Sequence, residues 1–121
     1  MEKTKTFKDL VVWQKAHELT LNIYKVTKEY PKEEIYALTS QMRRASVSIA
    51  ANIAEGYKKK SKPHKLNFLN IAEGSLEEVK YYLILSKDLD YIKNDVYSKL
   101  EQLSDEVGRI LTGYSNAIKN N

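Results

Sequence analysis

Cysteine is absent from the chain, which excludes disulfides, thiolate nucleophiles and cysteine-ligated zinc or iron–sulfur sites but leaves the redox compartment undecided. Glycine (4) and proline (2) are scarce in 121 residues, so the composition favours long helices over strands and turns. The residues three before the only histidines, His17 and His64, are Gln14 and Ser61. The Glu-x-x-His pairs of a di-iron bundle are therefore missing. No glycine-rich phosphate loop occurs, and the consecutive acids Glu33/Glu34 and Glu77/Glu78 point in different directions on a helix. Neither a signal peptide nor a membrane span is expected, because Met1-Glu2-Lys3-Thr4-Lys5-Thr6 leads into an amphipathic stretch and no long apolar run follows. These absences lead to the expectation of a cytoplasmic, non-enzymatic protein with no catalytic residue, no metal and no cofactor.

The length suits one domain with a continuous core. Charge is unevenly placed: residues 1–65 carry 14 Lys+Arg against 7 Asp+Glu, and residues 66–121 carry 6 against 9. Such a chain can present a basic surface to an anionic partner, or pair its own halves within a fold. In a sequence that is 30% charged, Ala45 to Ala54 runs ten residues without a charge. Its small residues (Ala45, Ser46, Ser48, Ala50, Ala51, Ala54) let neighbouring helix backbones approach, and the segment is expected to be buried on most of its sides.

Apolar residues recur at steps of three and four in four segments, predicting an all-α, antiparallel up-down-up-down four-helix bundle over residues 1–121. Helix 1 is expected over about 9–29, with Asp9 as N-cap and Pro31 as terminator. Helix 2 is expected over about 33–57, on the stripe Ile35, Leu38, Met42, Ala45, Ile49 and then Asn52 or Ile53. Helix 3, over about 63–90, opens on Ser61 or Lys62 as cap with Pro63 in the first turn. Helix 4, over about 95–119, follows Asn94 as cap and carries Val96, Leu100, Leu103, Val107, Ile110, Tyr114 and Ala117.

Lys58, Lys59, Lys60, Lys62 and Lys65, with His64 among them, cluster at the turn between helices 2 and 3. A flexible basic loop of this kind neutralises phosphates without reading sequence; a solvated turn complementing a helix C-terminus has the same composition. Arg43 and Arg44 are expected to pair with helix 3 acids such as Glu77 or Glu78, and are secondary candidates for the basic surface. Trp13, Tyr24, Tyr36, Tyr57, Tyr81, Tyr82, Tyr91, Tyr97 and Tyr114 form an aromatic-rich helical surface, suited to a subunit interface or to stacking on unpaired bases. The pentapeptide Asn-Ile-Ala-Glu-Gly occurs at 52–56 and 70–74, so Gly56 and Gly74 are expected to permit close backbone approach. Asn52 is expected to be a buried, hydrogen-bonded residue fixing helix register.

In order and spacing, Phe7–Ala16 (FKDLVVWQKA), Tyr30–Leu38 (YPKEEIYAL), Gln41–Gly56 (QMRRASVSIAANIAEG) and Phe68–Glu78 (FLNIAEGSLEE) resemble a bacterial four-helix-bundle family. It is the family first named for proteins encoded in intervening sequences of 23S rRNA genes. Trp13, Pro31, Glu34, Gln41, Arg44, Asn52, Ala54, Glu55, Gly56, Gly74 and Ser75 carry the resemblance. It implies a ring-like homopentamer. It also implies kinship with the accessory proteins that bind reverse transcriptase and nucleic acid in diversity-generating retroelements, although this chain looks like the stand-alone type. No catalytic residues are established for the family. The combined expectation is an oligomeric protein binding RNA or DNA through basic surfaces, chiefly Lys58 to Lys65, with a protein-interaction scaffold as the alternative.

Overall fold

A computed structural model describes residues 4–121. Four helices form the fold: α1 (Val11–Thr27), α2 (Leu38–Lys58), α3 (Lys62–Asp88) and α4 (Asn94–Lys119). Among the described residues each packs against its two neighbours, α1 on α2, α2 on α3, α3 on α4 and α4 back on α1, with no diagonal packing between helices. The connections are short, so the order is up-down-up-down. Among the described residues there is no strand, and no helix is long and apolar enough to cross a membrane.

The core follows the stripes. Leu19, Ile23, Ile49, Ile53, Leu69, Leu83 and Leu111 are buried to 0–1% exposure, each contributing about 1.5–3 kcal/mol relative to an exposed side chain. Serines occupy several equally buried positions, where their small volume lets helices close and their hydroxyls find local acceptors. Ser46 Oγ donates to the Arg43 carbonyl at 3.0 Å and Ser104 Oγ to the Glu101 carbonyl at 2.8 Å. Thr20 Oγ1 crosses from α1 to the Ser46 carbonyl of α2 at 3.0 Å. In α4 the buried positions are Leu100, Ser104, Val107, Leu111 and Ser115, while the expected Ala117 is exposed. The face is turned because serines, which a hydropathy stripe passes over, share it.

The helix starts differ from expectation for local chemical reasons. Asp9 does not cap α1. It closes a capping box with Thr6 around the 3-10 turn Phe7–Asp9, its carboxylate accepting from the Lys5 and Thr6 amides at 2.8 and 3.1 Å, and Leu10 then precedes α1. Those two amides hold the Asp9 carboxyl below its ordinary value. Helix α2 begins at Leu38, five residues late, because Lys32–Glu34 is a 3-10 turn and Ala37 departs from helical geometry. Ile35, expected in the core, is 53% exposed, and Tyr36 is 93% exposed. The Glu34 carboxylate explains the break: one oxygen accepts from the Leu38 amide at 3.3 Å, the other from the Tyr91 hydroxyl at 2.7 Å. Tyr91 also packs on Tyr30, so this end of the bundle is closed by side chains. Ser61 is the cap of α3, accepting from the His64 amide at 3.4 Å, whereas Asn94 is the first residue of α4 and makes no cap bond. Helix α3 ends at Asp88, and Asp90 takes the left-handed conformation (φ 62) that lets the Tyr91 amide return to the Ser86 carbonyl at 2.9 Å.

The two pentapeptide glycines do different things. A Cβ on Gly56 would meet the Cβ of Phe68 at 3.1 Å and the Lys65 carbonyl at 3.4 Å, so α2 and α3 approach closely there. A Cβ on Gly74 would meet nothing within 4 Å, contrary to the expected close approach. Gly74 lies exposed beside an open groove between α3 and α4. Alanine at Gly74 therefore keeps the full helix-propensity gain, about 1 kcal/mol, whereas alanine at Gly56 must spread two helices. The unfolding midpoint in urea is expected to rise for Gly74→Ala and to fall below wild type for Gly56→Ala.

Several phenols titrate above their ordinary range. Burial raises Tyr30, whose hydroxyl is buried without a hydrogen-bond partner, and Tyr114. Hydrogen bonds to Glu34 and Glu101 raise Tyr91 and Tyr97. The native state thus holds protons that the unfolded chain releases near pH 10. Stability is complete below that pH and is lost as pH rises through the raised values. Thermal melts across the alkaline range are expected to fall in step with the tyrosinate absorbance, and Tyr30→Phe to weaken that dependence.

Candidate nucleic-acid interface

The basic cluster sits on a tight, capped turn. Helix α2 ends at Lys58 and α3 starts at Lys62, leaving Lys59, Lys60 and Ser61 as the whole connection. Of the two readings that composition leaves open, it has the features of the turn that complements a helix C-terminus, because both helix ends are tied. The Ser61 hydroxyl caps α3. On the other side Lys65 reaches back one turn, its Nζ donating to the Tyr57 carbonyl at 2.7 Å and the Gly56 carbonyl at 3.4 Å. A cation on the last carbonyls of a helix also favours the helix dipole. Lys65 is half-buried and is thereby committed to structure. Lys59 lies over the Phe68 ring, 5.2 Å from its centroid. Lys58, Lys60, Lys62 and His64 are exposed, and none of the ion pairs among the described residues involves them.

Antiparallel packing adds charges that lie far away in sequence. The Thr4 and Tyr57 hydroxyls are 2.8 Å apart, and the Phe7–Asp9 turn packs on α2, which brings Lys5 and Lys8 to this end of the bundle. Lys119, at the end of α4, borders the same surface depression as Pro63 and Leu66. Lys5, Lys8, Lys58, Lys59, Lys60, Lys62, Lys65 and Lys119 thus stand against three carboxylates, Asp9, Glu55 and Glu73, the last on the rim of the depression that Lys119 borders. At the opposite end, residues 25–37 and 87–99 carry six charges of each sign. The molecule is electrically polar along its long axis, and the positive pole is spread over three chain segments. Lys5, Lys8 and Lys119 are absent from the sequence-level candidates. The signal that finds them is topology, since up-down-up-down order sets both chain ends beside the second turn.

The two arginines do not join this surface. Arg43 Nε donates to Thr27 Oγ1 at 2.9 Å and its guanidinium stacks on Tyr24 at 4.7 Å, so it clamps α2 to α1. The expected pairing with helix 3 acids does not form: Glu77 is 3.7 Å from Lys80, and Glu78 accepts from Tyr82. Arg44 is exposed and stands 14 residues before Lys58, about 21 Å along α2.

Asn52 is half-buried, and its amide donates to the Ser48 carbonyl at 2.8 Å and to Ser48 Oγ at 3.0 Å. The Ser48 hydroxyl meets that of Ser75 on α3 at 2.8 Å. The link between helices therefore runs through the two serines; Asn52 orients one of them, and Ile53 holds the core position. Glu55 is exposed. The aromatics do not make one surface. Trp13 is half-buried between Phe7 and His17, Tyr57, Tyr82, Tyr91, Tyr97 and Tyr114 pack on the core, and Tyr24, Tyr36 and Tyr81 are exposed. The α3–α4 groove carries both signs of charge, with Lys80 3.3 Å from Asp105, and among the described residues no group of three His, Asp or Glu converges as metal ligands.

Known proteins agree with this architecture. A crystal structure of a protein of unknown function from Bacteroides thetaiotaomicron VPI-5482, from the S23 ribosomal protein family, is similar, with a TM-score of 0.82. It shares 30% sequence identity over 90% of this chain and 98% of that one. No curated protein matches. Residues 8–113 match the family described as 23S rRNA-intervening sequence protein, and with most of the chain so covered, the protein belongs to that family.

Proposed function

We propose that this protein is a non-enzymatic, self-associating bundle that binds the phosphate backbone of RNA or DNA at its basic end and works in the cytoplasm. The observation that carries the reading is the concentration of eight lysines against three carboxylates at one pole. Lys58, Lys60 and Lys62 stand free there on a turn whose two helix ends are capped. A surface of this kind reads charge and spacing instead of base sequence. One pole alone is a weak site. Repetition in an oligomer, a ring-like homopentamer by family resemblance, raises its avidity. The retroelement kinship adds a second partner class: a protein such as a reverse transcriptase, for which the exposed Ile35 and Tyr36 offer an apolar contact.

Fluorescence anisotropy with labelled single-stranded and duplex RNA and DNA, across a salt series, tests the reading. Replacing Lys5, Lys8, Lys58, Lys60 and Lys62 by Gln is expected to weaken binding and flatten the salt slope, by about 0.9 log unit per log salt for each duplex phosphate that the variant no longer neutralises. Lys65→Gln is expected to behave differently. It removes the cap on α2, lowering stability by about 1 kcal/mol, while changing the salt slope little. Wild-type protein that binds none of the four probes at low salt would sink the nucleic-acid reading and leave a protein partner as the one to seek.

A further inference from the structure

Arg44, Val47, Ala51 and Glu55 follow one another at steps of three and four along α2, and all four are exposed on its outward face. This is the open side of the ten-residue segment without charge, which the fold covers on its other sides as expected: Ala45, Ser46, Ile49 and Ile53 are buried and Ser48, Ala50, Asn52 and Ala54 half-buried, while Ala51 is exposed and Val47 remains 43% exposed. The apolar surface continues onto both neighbours. Leu21 of α1, next to the Thr20 that bonds to Ser46, is 57% exposed, and Ile71 of α3, one turn before the Ser75 that bonds to Ser48, is 44% exposed. The ends of the stripe carry opposite charges, and neither Arg44 nor Glu55 takes part in an ion pair or side-chain hydrogen bond among the described residues.

We infer that this face is covered by the same face of a second copy of the chain, with the two α2 helices antiparallel. The charges select that arrangement. Arg44 and Glu55 are 11 residues apart, about 16 Å along the helix, so reversing the second helix about a point between Ile49 and Ala50 sets Arg44 of each copy against Glu55 of the other. A parallel pair would oppose Arg44 to Arg44 and Glu55 to Glu55. Between the two ion pairs this register sets Val47 of one copy beside the small Ala51 of the other, so bulk meets space and the backbones approach closely. The contact is isologous: it closes at two copies, or joins ring to ring where other faces build a ring. The inference rests on the self-association in the function proposed above and names a surface for it.

The chain has no cysteine, so Ala51→Cys is a single reporter close to the twofold axis, and Thr112→Cys, exposed on α4, is its control. Under mild oxidation Ala51→Cys is expected to run mostly as a disulfide-linked dimer and Thr112→Cys as single chains. In the Ala51→Cys background, Arg44→Glu or Glu55→Arg alone is expected to slow cross-linking about tenfold, and the two together to restore it, with helical circular dichroism unchanged throughout. Equal cross-linking at both reporters, or no recovery in the double charge reversal, overturns the antiparallel pair. Light scattering on the wild type separates the two levels of failure. A single-chain mass defeats self-association and this contact together. A larger mass with Ala51→Cys unlinked leaves self-association standing and shows that another face, or another protein, serves it.

Discussion

The approach of α2 and α3 at Gly56 is the constraint on which the rest of the molecule depends. Phe68 stands against the backbone of Gly56, its Cβ 3.1 Å from where a β-carbon would be, and the Lys65 carbonyl lies 3.4 Å from the same point. That packing brings the two helix axes together one turn before they are joined, so three residues suffice to connect them. It also places Lys65 within reach of the Tyr57 carbonyl. One close approach thus sets the turn, supplies its cap and fixes the direction in which the remaining lysines project. Farther along the same interface, Ser48 meets Ser75 and Ser86 meets Met42, so small polar side chains maintain the approach that glycine begins.

How much of this is legible in the sequence depends on which residues carry the signal. Leu69, Ala72, Leu76, Val79, Leu83 and Ser86 all lie buried as the period of α3 predicts, because every step places a side chain on one face. The start of α2 is misread by the same logic. Ile35 fits the period, but Glu34 has its carboxylate occupied by Leu38 and Tyr91, and a 3-10 turn takes the place of the first helical turn. Periodicity registers hydrophobicity and is blind to a tertiary hydrogen bond from a residue 57 positions away. Gly74 is misread for a related reason: its pentapeptide repeats that of Gly56, but residue spacing alone does not tell an interface from a groove. At the basic end, Lys58 to Lys62 are visible as a run, whereas Lys5, Lys8 and Lys119 join them only once the chain is folded into antiparallel order.

The charge asymmetry acquires a geometry from the fold. A surplus of positive charge in the first half of the sequence would be neutralised within the bundle if acids of α3 and α4 faced those lysines. The ion pairs that form are instead on the flanks, Lys15 with Glu18 and Glu106, and Lys80 with Glu77 and Asp105. Exposed pairs of this kind contribute little to stability, so the lysines at the pole are not explained by the fold's own needs, with Lys65 and, over the Phe68 ring, Lys59 the exceptions. A surface that concentrates one sign of charge raises the local concentration of an oppositely charged partner and speeds its arrival, which is a property of recognition and not of folding.

What an oligomer does with such a pole depends on how its copies are related. In a ring of parallel subunits all basic ends lie on one side, and their sum is a single avid platform for one nucleic-acid segment. In the antiparallel pair proposed through Arg44, Val47, Ala51 and Glu55 they lie at opposite ends, because the twofold axis crosses α2 near its middle while the lysines begin at its terminus. An assembly of the second kind holds two separate segments and bridges them. On the proposed function, the face between Arg44 and Glu55 therefore decides more than stoichiometry: it sets whether the same eight lysines act as a clamp or as a tether.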